Sequence, residues 1–132
     1  MLEARALELV SAWQEAYPES MQQISAGGLP QAKQAGGWDV VINASSSSLG
    51  DTAPEVPDGL YAQGALAYDM MYSARPTPFM LQAQADGAHL TSDGLGMLVG
   101  QAAESFYIWH GVRPDITPVL KAIRAELDAS IT

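Results

Sequence analysis

Apolar positions along this 132-residue chain recur with two different periods, and the switches between them order the elements. Leu2, Ala6, Leu9, Val10 and Trp13 fall at helical spacing, and Tyr17-Pro18 ends the segment. A helix is therefore expected to open the chain, with only Met1 before it and no capping residue. Met21-Gln22-Gln23-Ile24 is a weak signal for a short strand, and Gly27-Gly28-Leu29-Pro30 with Gly36-Gly37 brackets a turn or a single helical turn. Trp38 to Ala44 is the clearest strand. Its unbroken Val40-Val41-Ile42 predicts a parallel strand buried on both faces. Ser45 to Ser48 follow as a polar loop, and the stretch from Gly50 to Gly64, with Pro54 and Pro57, predicts an irregular connection. Leu66 to Tyr72 reads as a second strand, Thr77-Pro78 as the start of a helix ending near Gly87, and His89 to Thr91 as at most a short strand. Leu95, Leu98, Val99, Ala102, Phe106 and Trp109 form one apolar helical stripe, closed by Gly111. Ile116, Val119, Leu120, Ile123 and Leu127 form another, capped by Asp115 or Thr117. Strands alternating with helices predict an α/β fold, in one domain without internal repeats.

Charge and composition narrow the partners. Fifteen Asp and Glu against six Lys and Arg give a formal charge of -9, with no basic cluster, which argues against nucleic acid and anionic membranes. An anionic ligand then has to be held by helix ends and single arginines. Hydrophobic residues make up 48% and charged residues 16%, the balance of a globular chain. With no cysteine there are neither disulfides nor thiolate metal sites. No apolar run reaches the roughly 18 residues that span a bilayer, and Met1-Leu2-Glu3-Ala4-Arg5 lacks a signal-peptide core. These features predict a cytoplasmic protein.

Candidate chemistry concentrates where the third predicted strand meets its helix. Glycine costs roughly 0.5–1 kcal/mol relative to alanine within a helix, so Gly94, Gly96 and Gly100 at one helix start need a reason. One reason is close access for a ligand, in a near miss to the dinucleotide fingerprint. The other is tight packing of the helix itself, and spacing alone leaves both open. Met97 and Gln101 stand four residues apart on one helical face, where Gln101 can reach a ligand hydroxyl or simply be solvated. Alternation places Tyr68, Met70 and Tyr72 on one face of their strand, with Tyr72 at its carboxyl end, where open α/β sheets hold ligands. Ser45 to Ser48 offer hydroxyls and N–H groups to a phosphate or ribose, or are a polar linker. No nucleophile elbow or metal-ligand spacing appears, His89 and His110 stand alone, and neither Lys33 nor Lys121 has a partner signature. The residues themselves predict binding more than catalysis.

Asp93-Gly94-Leu95-Gly96-Met97-Leu98-Val99 with Gln101-Ala102-Ala103, together with Tyr68-Asp69-Met70-Met71-Tyr72 and Thr77-Pro78-Phe79, resembles the carboxyl-terminal part of shikimate dehydrogenase. Val41-Ile42-Asn43-Ala44-Ser45-Ser46 resembles that family's Asn-Ala-Thr strand end, with Ser45 in place of the usual threonine and a loop about a residue short. Trp109-His110-Gly111 and Pro114-Asp115 resemble its closing helices, so the similarity runs from Arg5 through nearly the whole chain.

The resemblance implies a three-layer, partial Rossmann-like doubly wound sheet, mostly parallel, lacking its first two strands and followed by carboxyl-terminal helices. It implies NADP as cofactor and reversible reduction of 3-dehydroshikimate to shikimate as the family's reaction. The amino-terminal domain, with its catalytic lysine-aspartate pair, and the glycine-rich loop have no counterpart here, so no catalytic residue is assigned and the chain alone is expected to be inactive, or nearly so, and to bind NADP weakly or not at all. Met70, Gly94 and Met97 would lie near the nicotinamide, Ser45 and Ser46 along the nucleotide, and Arg5 near the 2′-phosphate. Tyr72 and Gln101 would contact shikimate. A quinate-using relative and a non-catalytic nucleotide-binding or oligomerisation module are the other readings. Loss of the first two strands would leave Trp38 to Ala44 as an open edge, so either a homodimer forms through it or the weak Met21 to Ile24 strand slides into the gap.

Overall fold

The computed structural model describes residues 2–131. Helix α1 (Leu2–Ala16) is followed by strand β1 (Trp38–Asn43), strand β2 (Tyr61–Asp69), helix α2 (Pro78–Ala85), strand β3 (Leu90–Ser92), helix α3 (Leu95–His110) and helix α4 (Thr117–Ala129). Single turns of 3-10 helix occupy Leu29–Ala32 and Ser47–Gly50. The strands form one parallel sheet in the order β1-β2-β3. This is an α/β, Rossmann-like arrangement.

The core lies between the sheet and α2. In-register pairing sets Val41 beside Ala67, and Ala67, Phe79 and Ala83 are almost fully buried, with Val41, Tyr61 and Ala88 packed around them. Small side chains on β2 let α2 approach the sheet, so that Phe79 fills the space between; burying a side chain of that size stabilises by roughly 1.5–3 kcal/mol. The helix starts where Thr77 accepts a hydrogen bond from Met80 N (3.3 Å) and Pro78 supplies a preset φ. At its other end, Asp86 accepts from Gly59 N (2.7 Å) and Leu60 N (3.0 Å).

That carboxylate corrects one expected boundary. β2 begins at Tyr61 rather than Leu66, because Asp86 fastens the turn before it and Trp38 N donates to Leu60 O (2.8 Å). It also ends at Asp69 rather than Tyr72, since Asp69 Oδ1 takes the Met71 N–H (3.1 Å) out of the ladder. Met70 and Tyr72 therefore lie beyond the strand and do not share a strand face with Tyr68. The short strand is shifted by one residue, to Leu90–Ser92.

Other expectations fail for want of a packing partner. Met21 to Ile24 forms no strand: Met21 is almost wholly exposed, and among the described residues no neighbouring strand offers it a ladder. It does not slide beside β1. Among the described residues that strand pairs only with β2, which leaves the open edge expected of it, and Val40 and Ile42 are more than half exposed rather than buried on both faces. Helix α3 buries Leu95, Val99 and Ala103, but its carboxyl-terminal half exposes Phe106 and Trp109 from the expected stripe. Gly111 does end α3, in the left-handed region. Val119 is likewise exposed on α4. The cap position of α4 is Ile116, although Asp115 still accepts the Thr117 N–H (2.9 Å).

Tyr61 gives the fold one contribution to stability that depends on alkaline pH. Its hydroxyl is buried with no hydrogen-bond partner among the described residues, and burial, with a smaller contribution from Asp86, pushes its pKa up from 10.0 to about 12. A raised pKa on an acid means that the unfolded chain ionises first. The contribution is thus fully present below pH 10 and is lost as pH rises from 10 to 12. Tyr61→Phe should change stability at neutral pH by less than about 1 kcal/mol, because no bond is removed, and should flatten the decline above pH 10 in denaturation measured across pH.

Candidate functional site

The carboxyl ends of β1 and β2 form a crevice organised around two buried polar residues. Asn43 and Asp69 are register partners, 5% and 0% exposed. Burying a carboxylate costs several kcal/mol unless donors replace its water, and here they do. Asp69 Oδ1 accepts from Asn43 Nδ2 (3.2 Å) and Met71 N (3.1 Å), while Oδ2 accepts from Thr77 Oγ1 (2.6 Å). Asn43 Oδ1 in turn accepts from Ser45 N (3.1 Å) and Ser45 Oγ (2.6 Å), and Asn43 O accepts from Met70 N (3.0 Å).

The β3–α3 junction closes against the same segment. Gly94 N donates to Met71 O (2.9 Å), and a Cβ built on Gly94 would overlap the Met70 carbonyl oxygen and lie 2.6 Å from its carbon. The φ of Gly94 is -79°, so backbone conformation does not require glycine; the neighbouring peptide does. By contrast, nothing lies within 4 Å of a Cβ built on Gly96 or Gly100. Tight packing thus accounts for one glycine of the three.

A second fastening involves residues whose pairing the sequence did not signal. Arg124 Nη2 donates to both oxygens of Asp93 (2.8 Å each) and Nη1 to Ser73 O (3.1 Å), while Asp93 Oδ1 also accepts from Leu95 N (3.2 Å). One guanidinium joins α4, the start of α3 and the loop after β2. The i to i+31 separation in sequence hides it. Asp69 likewise stands in the sequence as one position of the Tyr68 to Tyr72 motif, with nothing to mark its partners Asn43 and Thr77.

The structure unites some candidates and separates others. Ser45, Met70 and Gly94 belong to one hydrogen-bonded assembly. Met70 is 39% exposed beside Gly94, and Met97 and Gln101 continue along the exposed side of α3, with Gln101 about 10 Å from Gly94 along the axis. Tyr72 lines an adjoining polar cleft of about 680 Å3 with Arg75 and Thr77. Ser45, but not Ser46, borders a separate apolar cavity of about 490 Å3 beside Trp38, Val40 and Ile42. Arg5 is exposed on α1, and among the described residues no hydrogen bond or ion pair ties it to the crevice. His110 packs its ring 4.5 Å from Phe106, and His89 N donates to Ala65 O (3.0 Å).

A parallel sheet with a crevice outside its carboxyl strand ends, closed by a glycine at a helix start, defines a Rossmann-like nucleotide-binding domain. Residues 94–124 match the family model of the shikimate 5'-dehydrogenase C-terminal domain. The chain is 65% identical over 123 residues to the shikimate dehydrogenase (NADP(+)) of Bordetella avium, covering 93% of this chain and 42% of that protein. Among solved structures, an Ael1 enzyme from Pseudomonas putida matches 89% of this chain and 42% of its own at 37% identity and a TM-score of 0.70. The shikimate 5-dehydrogenase of Thermus thermophilus, solved with NADP(H) and shikimate, matches 92% of this chain and 43% of its own at 29% identity and a TM-score of 0.67. Over most of its length the chain is therefore similar to shikimate dehydrogenases, and residues 94–124 to the C-terminal domain of that family. It spans well under half the length of the curated relatives it matches. Among the described residues, no helix is long and apolar enough to cross a membrane.

Gly94 and Gly100 should respond oppositely to alanine. Gly94→Ala must displace the Met70 peptide and should destabilise by about 2 kcal/mol or more, whereas Gly100→Ala should stabilise by roughly 0.5–1 kcal/mol. Urea denaturation of both variants checks the pair.

Proposed function

We propose that this chain forms the NADP-facing part of a shikimate dehydrogenase catalysing reversible reduction of 3-dehydroshikimate to shikimate. The observation that carries this reading is the clamped Met70-Met71 segment beside Gly94, in a chain 65% identical over its matched length to an NADP-dependent shikimate dehydrogenase. The residues fit the cofactor on one side. Met70 offers a soft apolar side chain at the crevice, and the bare Cα of Gly94 lets the start of α3 pack directly against the Met70 peptide that carries it. Ser45 and Ser46 supply exposed hydroxyls on the nucleotide side, and Met97 extends the apolar surface. Arg5 suits a 2′-phosphate by charge, although it stands apart from the crevice.

NADP, when bound, supplies or accepts the hydride. The chain's own residues orient: Gln101 with its amide and Tyr72 with its phenol hydrogen-bond substrate hydroxyls, while Asn43 and Asp69 keep Ser45 and Met70 in place. No residue of this chain is assigned the proton transfer, so the chain alone is expected to be inactive. A quinate-using enzyme differs in a substrate contact that these residues do not decide. The purified chain should give no NADP-dependent oxidation of shikimate, and NADP+ should shift the amide resonances of Ser45, Met70 and Gly94 in a titration followed by NMR. Turnover by the chain alone, or shifts confined to other residues, would overturn the assignment.

The open edge supports a second reading, an oligomerisation module. Val40 and Ile42 are 53% and 59% exposed on a strand with one free side, and such edges pair with further strands. A second copy of the chain can align its β1 antiparallel to this one about a twofold axis. Light scattering after size exclusion should then give a concentration-dependent mass of twice 14.0 kDa, abolished by Ile42→Lys. A monomer at every concentration would remove this reading.

A further inference from the structure

We propose that Asp69 is a positioning residue, coupling the loop after β1 to the loop after β2 so that both face the crevice in one fixed geometry. The ligand that this geometry serves rests on the dehydrogenase reading above; the coupling does not.

The polarity of the bonds carries the inference. Ser45 offers two donors, N–H and O–H, and both point at Asn43 Oδ1 (3.1 and 2.6 Å). The amide of Asn43 is thereby oriented with Nδ2 toward Asp69 (3.2 Å). What meets it has to be an acceptor, and the same oxygen also takes the Met71 N–H (3.1 Å). The second oxygen accepts the Thr77 hydroxyl (2.6 Å), whose own oxygen accepts Met80 N (3.3 Å) at the start of α2. Donors thus converge on one carboxylate from three directions. A carboxylate accepts at both oxygens and donates from neither, which no neutral side chain of similar size reproduces. Because Asp69 is fully buried, water cannot stand in for a missing arm. The loop carrying Ser45 and the peptide preceding Tyr72 lie 26 residues apart, yet are connected through two side chains. Asp69→Asn keeps the shape but must place an amide nitrogen on one of these arms, facing Thr77 or facing Asn43 and Met71. Either choice reverses or breaks a bond.

The test is amide NMR on the full 132-residue chain with no ligand, so that failure of the coupling and failure of the dehydrogenase reading are told apart. Asp69→Asn should move the Ser45 and Met71 amide resonances together and speed their hydrogen exchange by about tenfold, the change expected of local opening, while Ala103 in α3 and Leu127 in α4 stay as protected as before. Thr77→Val should do the same more weakly, and Thr77→Ser should restore the original pattern. Should Asp69→Asn not fold, the two Thr77 variants give the same readout with Asp69 intact. A Ser45 amide that stays fixed while Met71 moves, or a loss of protection spread equally over α3 and α4, overturns the proposal.

Discussion

The contact on which the rest of the site depends is the one between two backbones, Gly94 and Met70-Met71. The Gly94 N–H reaches the Met71 carbonyl at 2.9 Å, and the bare Cα lies against the preceding peptide. On its other side, Met70 N is bound by Asn43 O and Met71 N by Asp69. The two-residue segment is therefore held by main-chain or buried-carboxylate partners at successive polar groups, which leaves its side chains free to face outward. Precision at the crevice comes from backbone packing, which has no rotamers to lose.

The sheet shows what happens when parallel strands lack their usual covering. Parallel sheets are ordinarily buried on both faces, and the Val-Val-Ile run of β1 is the composition of such a strand. Here one side chain of the three, Val41, packs onto the Phe79 cluster, while Val40 and Ile42 face away from it and stay largely exposed. The exposed aromatic end of α3 and the exposed leucines of α1 make the same point for helices. Amphipathic surfaces of this kind are shaped for neighbours, and the short sheet supplies few.

Local chemistry was legible in the sequence and long-range pairing was not. Thr77-Pro78 starts α2 and Gly111 ends α3 because capping and φ preference act within a few residues. Helices α1, α3 and α4 followed from their apolar period, and β1 from its unbroken apolar run. The bounds of β2 did not, since they are set by Asp86 across 26 residues at one end and by Asp69 capturing Met71 at the other. The weak apolar signal at Met21 to Ile24 names a strand only if another strand is beside it. Of the three glycines read at the start of α3, Gly94 alone packs against a neighbouring peptide, because spacing cannot separate a glycine kept clear for a ligand from one kept clear for a peptide. The Asp93–Arg124 pair, which fastens α4 to the start of α3, leaves no local trace.

The close approach at Gly94 has a consequence for how this protein can change over time. Every other amino acid brings a Cβ, so the position offers no mildly impaired intermediate from which neighbouring residues might adjust. Variation around the crevice must proceed through side chains such as Tyr72, Met97 and Gln101, each of which projects outward from backbone that stays put. Gly94→Ala acts on the fold itself, whereas substitutions at those exposed side chains leave the backbone contact intact.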